Sequence, residues 1–385
     1  MYVMYKAGTD NRTQKVSGTF KAISNKAVAW LENEVFERMC ISAEYCPWSM
    51  QILPRFFSDE ILSLNPDVVH LNGVKGFVPM NALRSLGKPI VWTVVDMWPF
   101  TGGCHYSGDC EKFRTECKDC HFLKRDQFFD LANLVWQRKS KNLDGLNLTV
   151  AAISQWLQDC SKSSPILGQF PTELVHYGLD EETYRPIDKF TAKTILGLDP
   201  TIAYVAFGAD GGTKNPRKGF RFALDAMKIL KSRGSKNIGL LVFGETAPDR
   251  PVDCPYPVRY LGMLNDDVSM ALTYSAANVT LVPSVQEGFG QTALEAMSCG
   301  TPVVTFEGIG TCDIVAHRQN GYLAAHGDGE DIANGIEWCL GQSTEIAAKC
   351  RDVVLSEYTL ELQARRYERI YNSLVSAKGV AKARI

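Results

Sequence analysis

No apolar run in this chain reaches the ~18 residues that a membrane-spanning helix needs, so no transmembrane segment is expected. The opening residues, MYVMYKAGTDNRTQK, show no charged stretch followed by an apolar one, so no secretory leader is expected there. Net charge is −2 over 385 residues, which leaves no global basic field to attract nucleic acid. There is no short-period repeat and no low-complexity tract, which excludes solenoids and disordered arrays. These absences point to a cytoplasmic globular protein, with peripheral contact at the inner face of a membrane still compatible.

Hydrophobic residues make up 45% and charged residues 22%, as in ordinary soluble domains. At roughly 100–200 residues per domain, the length allows two or three domains. Twelve cysteines are too dispersed for a secreted disulfide framework. Eight of them (Cys40, Cys46, Cys160, Cys254, Cys299, Cys312, Cys339 and Cys350) read as reduced, buried thiols.

Apolar runs bounded by turn signals recur along the chain. PDVVHL (66–71), KPIVWTVV (88–95), LNLTVAAI (146–153) and ELVHY (173–177) read as strands of a buried sheet. A second series comprises IAYVAFGA (202–209), IGLLVFG (238–244), VRYLG (258–262), NVTLVPS (278–284) and TPVVTF (301–306). Helical patterns lie between them, among them SDEILSL, FFDLANLVWQRKS and GFRFALDAMKILKSRG. Strand–helix alternation repeated twice predicts an α/β chain of two doubly wound, Rossmann-like domains. The polar stretch GLDEETYRPIDKFTAKTILGLD, with Pro186, reads as a linker. The expected division is residues 1–180, 181–355, and an amphipathic helix and tail at 356–385.

The segment PSVQEGFGQTALEAMSCGTPVV carries the densest chemistry. It places a strand, a glycine turn and a helix in succession. The carboxyl edge of a parallel sheet is where such folds take ligands, and the following helix offers free N–H groups and a favourable dipole to an anion. Gly288 and Gly290 allow close backbone approach, and Gly300 suits the helix's C-terminal cap. Glu287 stands in the turn and Glu295 one to two turns into the helix. A carboxylate accepts the paired hydroxyl donors of a sugar or ribose diol. Upstream, FGADGGTKNPRKGF (207–220) is glycine-rich and carries Lys214, Arg217 and Lys218, cations that suit a diphosphate leaving group.

Taken together these segments resemble the retaining glycosyltransferases of family four, over nearly all of residues 60–375. VHYGLDEETYRP and YLGMLNDD…TYSAANV extend the similarity. The resemblance implies the GT-B arrangement: two Rossmann-like domains facing across a cleft, with a C-terminal helix crossing back to the first. It implies sugar transfer from a nucleotide-diphosphate sugar, UDP-glucose being the first expectation, to a saccharide or lipid-linked acceptor in polysaccharide biosynthesis. Glu287 would contact donor-sugar hydroxyls, with backbone N–H groups of Gly288, Phe289 and Gly290 beside it. Gln291 and Thr292 would join the donor site, and Glu295 would hold the ribose. Gly262, Met263 and Leu264 would face the base, and Lys218 the leaving diphosphate. The second cation is Arg217 or Lys214, or is missing, because Ala209 follows Gly208 where the family often has arginine. Such a transferase needs no protein nucleophile and no catalytic cofactor: the leaving diphosphate oxygen can take the acceptor proton.

The first domain resembles the exopolysaccharide, colanic-acid-type subgroup through KPIVWTVVDMWPFTGGCHYSGDCEKFRTECKDCHFL (88–123). Two departures stand out. Val95 occupies a position where the subgroup has histidine, leaving Asp96 as the catalytic candidate. The family's opening strand and glycine-rich loop have no counterpart before MYVMYKAGTD. Both departures admit an alternative reading, a nucleotide-binding pseudoenzyme or assembly partner. Cys104, Cys110, Cys117 and Cys120 lie within 17 residues and end in C-x2-C, a spacing that suits a structural zinc, with His105 and His121 as substitute ligands.

Overall fold

The computed structural model of the protein describes residues 63–74, 78–124, 129–208, 211–342 and 344–382, with shorter stretches before residue 54. The expected SDEILSL helix falls mostly outside the described residues. The chain divides into two compact units, one of Met1–Ile153, Leu157–Leu174 and Glu368–Ile385, the other of Ser154–Trp156 and Val175–Tyr367.

In the first unit a short parallel pair joins β1 (Tyr2–Val3) to β2 (Gln14–Lys15). The main sheet is β3 (Val69–Asn72), β4 (Ile90–Val94), β5 (Leu148–Ala152) and β6 (Thr172–Leu174), parallel and in that order. Every residue of β4 and β5 is buried. That is the signature of central strands covered on both faces, and it explains why IVWTV and LTVAA do not alternate with polar residues. Helix α1 (Leu131–Leu143) begins at Asp130, whose carboxylate accepts from Asn133 N–H and so satisfies one of the helix's orphan donors.

The second unit holds a six-stranded parallel sheet: β7 (Ala203–Gly208), β8 (Ile238–Phe243), β9 (Val258–Tyr260), β10 (Val279–Val282), β11 (Val303–Phe306) and β12 (Gly321–Ala324). The spatial order is β12-β11-β10-β7-β8-β9. Strands β8 and β9 extend to one side of β7, and β10 to β12 to the other. The connections therefore reverse between β7 and β10, which makes the carboxyl ends of those two strands the topological switch point where such sheets take ligands. Helix α2 (Phe220–Ser232) follows β7 and packs Ala223, Ala226, Met227 and Leu230, all fully buried, into the core with Val205, Leu240 and Leu281. Helices α3 (Asp267–Ala276) and α4 (Gln291–Ser298) flank β10.

All nine expected strands are present, each within a few residues of its expected bounds. Strand β12 has no counterpart in the sequence reading: GYLA is only four residues long and follows a polar turn, leaving little pattern to see. The stretch read as a linker contains a helix, Lys189–Ile195, capped by Asp188 through Thr191 N–H. Gly300 adopts φ +77° beyond α4, as a left-handed helix cap requires.

Gly219 joins the loop after β7 to α2 at φ +73°, and a Cβ there would lie 1.9 Å from the carbonyl oxygen of Pro283. Both the dihedral and the contact demand glycine. Gly219→Ala should cost on the order of 2–4 kcal/mol in chemical denaturation. A loss below about 0.5 kcal/mol would mean that the two loops do not approach as described.

Candidate active site

The two loops that leave β7 and β10 are bound to each other. Asn215 Oδ1 accepts from Arg217 N–H at 3.1 Å and starts the short turn Pro216–Lys218. Val285 N–H donates to the Arg217 carbonyl at 2.8 Å, and Arg217 Nη1 donates to the Gln286 carbonyl at 2.8 Å. This stitching brings cations from one loop to a carboxylate on the other. Lys218 Nζ is 2.7 Å from Glu287 Oε2, Arg217 Nη1 is 3.5 Å from the same oxygen, and Ser284 Oγ donates to it at 3.1 Å.

Glu287 is 9% exposed. Burial pushes its carboxyl up, but Lys218 and Arg217 more than offset that, and the group ends below the usual carboxylate range. It is therefore ionised, and two cations face one carboxylate. Lys218 and Arg217 stand at the carboxyl edge of the sheet and are cations of the kind that a diphosphate requires. Lys214, the other candidate cation, is exposed and takes no partner among the described residues.

Helix α4 starts at Gly290, which holds φ +94° and packs against Thr311 so closely that a Cβ would lie 2.4 Å from its methyl group. The backbone N–H groups of Gly288, Phe289, Gly290, Gln291 and Thr292 have no partner among the described residues. Five successive free donors at a helix start form an anion-receptive edge. The Phe289 side chain points away from that task. It is 2% exposed, with ring centroids of His176, Tyr177 and Tyr358 at 5.9, 5.8 and 5.9 Å. Its part in the turn is anchorage, leaving its N–H for a ligand.

Glu295 follows on α4 in the opposite electrostatic setting. Burial drives its carboxyl from the ordinary 4.5 up to about 7, although a hydrogen bond from Tyr274 Oη at 2.6 Å pulls the other way. Tyr274 Oη occupies Oε2, while Oε1 takes no partner among the described residues and is left for a ligand hydroxyl. Gly262, Met263 and Leu264 follow β9 at the same edge of the sheet. The Gly262 carbonyl accepts from Gly244 N–H at 2.9 Å, and Met263 is 59% exposed.

Two partners were not legible in the sequence. Tyr274 is one, because only the fold brings α3 against α4. Glu245 is the other: its carboxylate accepts from Thr213 N–H and Thr213 Oγ1, both at 2.6 Å, and so fixes the glycine-rich loop after β7. Its signal was its position just past β8, at the sheet's carboxyl edge.

The remaining candidates belong to the first unit. Asp96 lies beyond β4 and pairs with His105. The four clustered cysteines do not come together as ligands: among the described residues, no three His, Cys, Asp or Glu side chains form a group that could hold a metal ion. Cys104 packs in an apolar cluster with Trp48, Met50, Leu123 and Leu131. Burial pushes its thiol up to about 12 and that of Cys117 up to about 11, and raises Cys120 as well. His105 is engaged by Asp96 and Ser49, and His121 lies against Phe122 with ring centroids 4.0 Å apart.

Residues 204–342, the span from β7 through the helix after β12, match the family model for glycosyl transferases group 1. Among curated relatives, the chain is 30% identical to D-inositol 3-phosphate glycosyltransferase 2 of Catenulispora acidiphila over 203 residues, covering 49% of this chain and 48% of that one. It is 36% identical over 162 residues to the D-inositol 3-phosphate glycosyltransferase of Segniliparus rotundus, covering 39% and 35%. The chain thus spans about half or less of the length of these relatives. Solved structures of similar fold include sucrose-phosphate synthase from Thermosynechococcus elongatus, with TM-score 0.61, 21% identity, and 83% and 76% of the two chains covered. Anabaena HepE in complex with UDP-glucose gives TM-score 0.60 at 18% identity, covering 80% and 79%. The fold is that of the GT-B glycosyltransferases, two parallel-sheet, Rossmann-like domains. Residues 204–342, which carry the paired cations and carboxylates at the switch point, are thus similar to the group 1 glycosyltransferases.

The raised Glu295 carboxyl has a consequence for stability. The folded form holds a proton between pH 4.5 and about 7 that the unfolded chain has already released. Its contribution is therefore fully present below pH 4.5 and is lost as pH rises through about 7. Glu295→Gln should remove this part of the pH dependence, and urea midpoints at pH 5 and pH 8 should converge relative to wild type. Unchanged separation of the two midpoints would show that Glu295 does not titrate in this window.

Proposed function

We propose that the chain is a retaining glycosyltransferase that moves a sugar from a nucleotide diphosphate, UDP-glucose in the first instance, to a hydroxyl of a saccharide or lipid-linked acceptor in polysaccharide synthesis. The observation that carries this reading is the convergence of Lys218, Arg217 and Glu287 at the carboxyl edge between β7 and β10, beside a run of free backbone donors. Lys218 and Arg217 bind the diphosphate and stabilise the charge that grows on it as the sugar leaves. Glu287 orients both cations and presents its remaining oxygen to the donor sugar. Glu295 takes a ribose hydroxyl at Oε1, with Tyr274 fixing the other oxygen. Gly262, Met263 and Leu264 take the base.

The similar fold of HepE, solved with UDP-glucose, supports the choice of donor. The curated relatives named for D-inositol 3-phosphate support a polyhydroxylated acceptor. No cofactor enters the chemistry, because positioning and charge stabilisation suffice for departure of a diphosphate. A thermal-shift panel of nucleotide-sugars, followed by turnover of those that stabilise the protein, tests the reading. Stabilisation by UDP-sugars without turnover of any would favour the binding-partner alternative.

Lys218 gives the sharpest variant. Its ammonium matters most when negative charge develops on the diphosphate. Lys218→Ala should therefore lower kcat by ~10²–10³-fold and change the donor KM much less. Lys218→Arg should recover part of the rate, because a planar fork does not reproduce a compact charge 2.7 Å from Glu287. Near-wild-type kcat in the alanine variant would remove Lys218 from the mechanism.

A further inference from the structure

The first unit holds a second group of chemistry-bearing side chains, all within Met1–Ile153 and outside the residues that the family model matches. Asp96 lies two residues beyond β4, at the carboxyl edge of a parallel sheet. Its Oδ2 is 2.7 Å from His105 Nδ1, and its Oδ1 accepts from Trp98 N–H at 2.8 Å. Both carboxylate oxygens are thus committed, and the one at Nδ1 fixes the ring proton there. Across the ring, His105 Nε2 is 2.9 Å from Ser49 Oγ. With the proton on Nδ1, Nε2 is an acceptor and the serine hydroxyl donates to it. Hydroxyl, imidazole and carboxylate are therefore linked in the order, and at the distances, by which a serine oxygen is activated for attack.

Ser49 is fixed through its backbone on both sides. Its N–H donates to the Gly103 carbonyl at 2.9 Å, and its carbonyl accepts from Trp98 Nε1 at 2.9 Å. Gly103, at φ +133°, comes so near the neighbouring Trp48 that a Cβ would lie 2.3 Å from the indole ring. The Trp98 ring stacks on His105 with planes 23° apart, and the buried Lys139 ammonium sits 3.7 Å from the centre of the Trp98 ring. The next amide, that of Met50, has no backbone partner among the described residues. The N–H that follows a nucleophilic serine is a usual donor to the oxyanion of acyl transfer. One residue further, Gln51 takes φ +49°, an uncommon value for a residue with a Cβ. Met50 and Gln51 also line a small cavity together with Met80, Asn81, Val135 and Asn142. Ser49 is half-buried, and the side chains of His105 and Asp96 keep 17% and 21% exposure, so the group is open to solvent.

We propose that Ser49, His105 and Asp96 form a second active centre, a nucleophilic triad that hydrolyses short acyl esters. Sugar transfer as proposed above uses none of these three side chains, so this activity stands apart from it. In the first step Ser49 Oγ bonds to the ester carbonyl carbon and its proton moves to His105 Nε2, while Nδ1–H stays paired with Asp96. The carbonyl oxygen takes the negative charge, with the Met50 N–H as its donor. The bond to the alcohol oxygen then breaks, and that oxygen leaves with the proton from Nε2. Water attacks the acyl–serine carbon and gives a proton to Nε2. The bond to Ser49 Oγ breaks, Ser49 recovers the proton, and the acid departs. Ester and water thus become acid and alcohol with no further reactant. The cavity that starts one residue beyond Ser49 suits a short acyl chain, because its lining mixes apolar side chains with neutral amides.

The test treats the full chain with a serine-directed fluorophosphonate, and separately measures hydrolysis of 4-nitrophenyl acetate. Mass spectrometry should find one adduct per chain, at Ser49. His105→Ala should slow that labelling about 100-fold or more, because the hydroxyl loses its base. Ser49→Ala should lower kcat for the ester ~10³-fold or more, and Asp96→Asn should lower it on a similar scale, since an amide facing Nδ1 turns the ring to the tautomer whose Nε2 carries the proton. Circular dichroism checks that each variant is folded. If a variant misfolds, labelling of the wild type still decides. A wild type whose Ser49 takes no fluorophosphonate overturns the proposal. Ester turnover unchanged in Ser49→Ala also overturns it, and assigns that turnover to another nucleophile. Labelling equally fast in His105→Ala overturns it as well, leaving His105 as a loop staple.

Discussion

One carboxylate oxygen, Glu287 Oε2, organises the second unit's site. It takes Lys218, Arg217 and Ser284 at once, from loops that leave two neighbouring strands. Those strands, β7 and β10, are adjacent because the sheet order reverses between them. At that switch point the carboxylate gathers cations from both loops. A buried anion without such partners would be costly, and two clustered cations without the anion would repel. Glycines at 219 and 290 are consequences of that arrangement, since each sits where a loop must come too close for a side chain.

The two glutamates of the signature segment share a sequence motif and differ in physics. Glu287 is held below the usual carboxylate range by its cations, so its charge is permanent across ordinary pH. Glu295 has no cation beside it and is raised to about 7, with Tyr274 donating to one oxygen. A ligand that donates hydroxyls to the other oxygen would favour the charged form. The first carboxylate is thus held charged by its neighbours, and the charge of the second is disfavoured by its burial.

Much of this was legible in the sequence. The alternation of apolar runs with helical patterns yielded the two parallel sheets, because fully buried strands such as IVWTV leave an unmistakable apolar run. The EGFG turn, Lys218 and both glutamates stood out because glycine, charge and a helix start coincide there. What stayed hidden depends on distance along the chain. Tyr274 and Glu295 are 21 residues apart, Thr213 and Glu245 are 32 apart, and Ser49 and His105 are 56 apart. No local pattern announces such pairs. The cysteine cluster shows the limit of spacing from the other side: its pattern is local and suggestive, yet Cys104 packs in the core against Trp48 and Leu131. His105, read as a spare metal ligand, is instead committed to Asp96.

The central claim is that the carboxyl edge between the β7 and β10 loops is a diphosphate site whose cations are Lys218 and Arg217. Calorimetric titration of the protein with UDP and with uridine tests this most directly, because the two ligands differ only in the phosphates. The account predicts that UDP binds at least about 100-fold more tightly, the scale of two charge-assisted contacts at roughly 1.5 kcal/mol each, and that the difference shrinks with added salt. Equal affinity for UDP and uridine would contradict it.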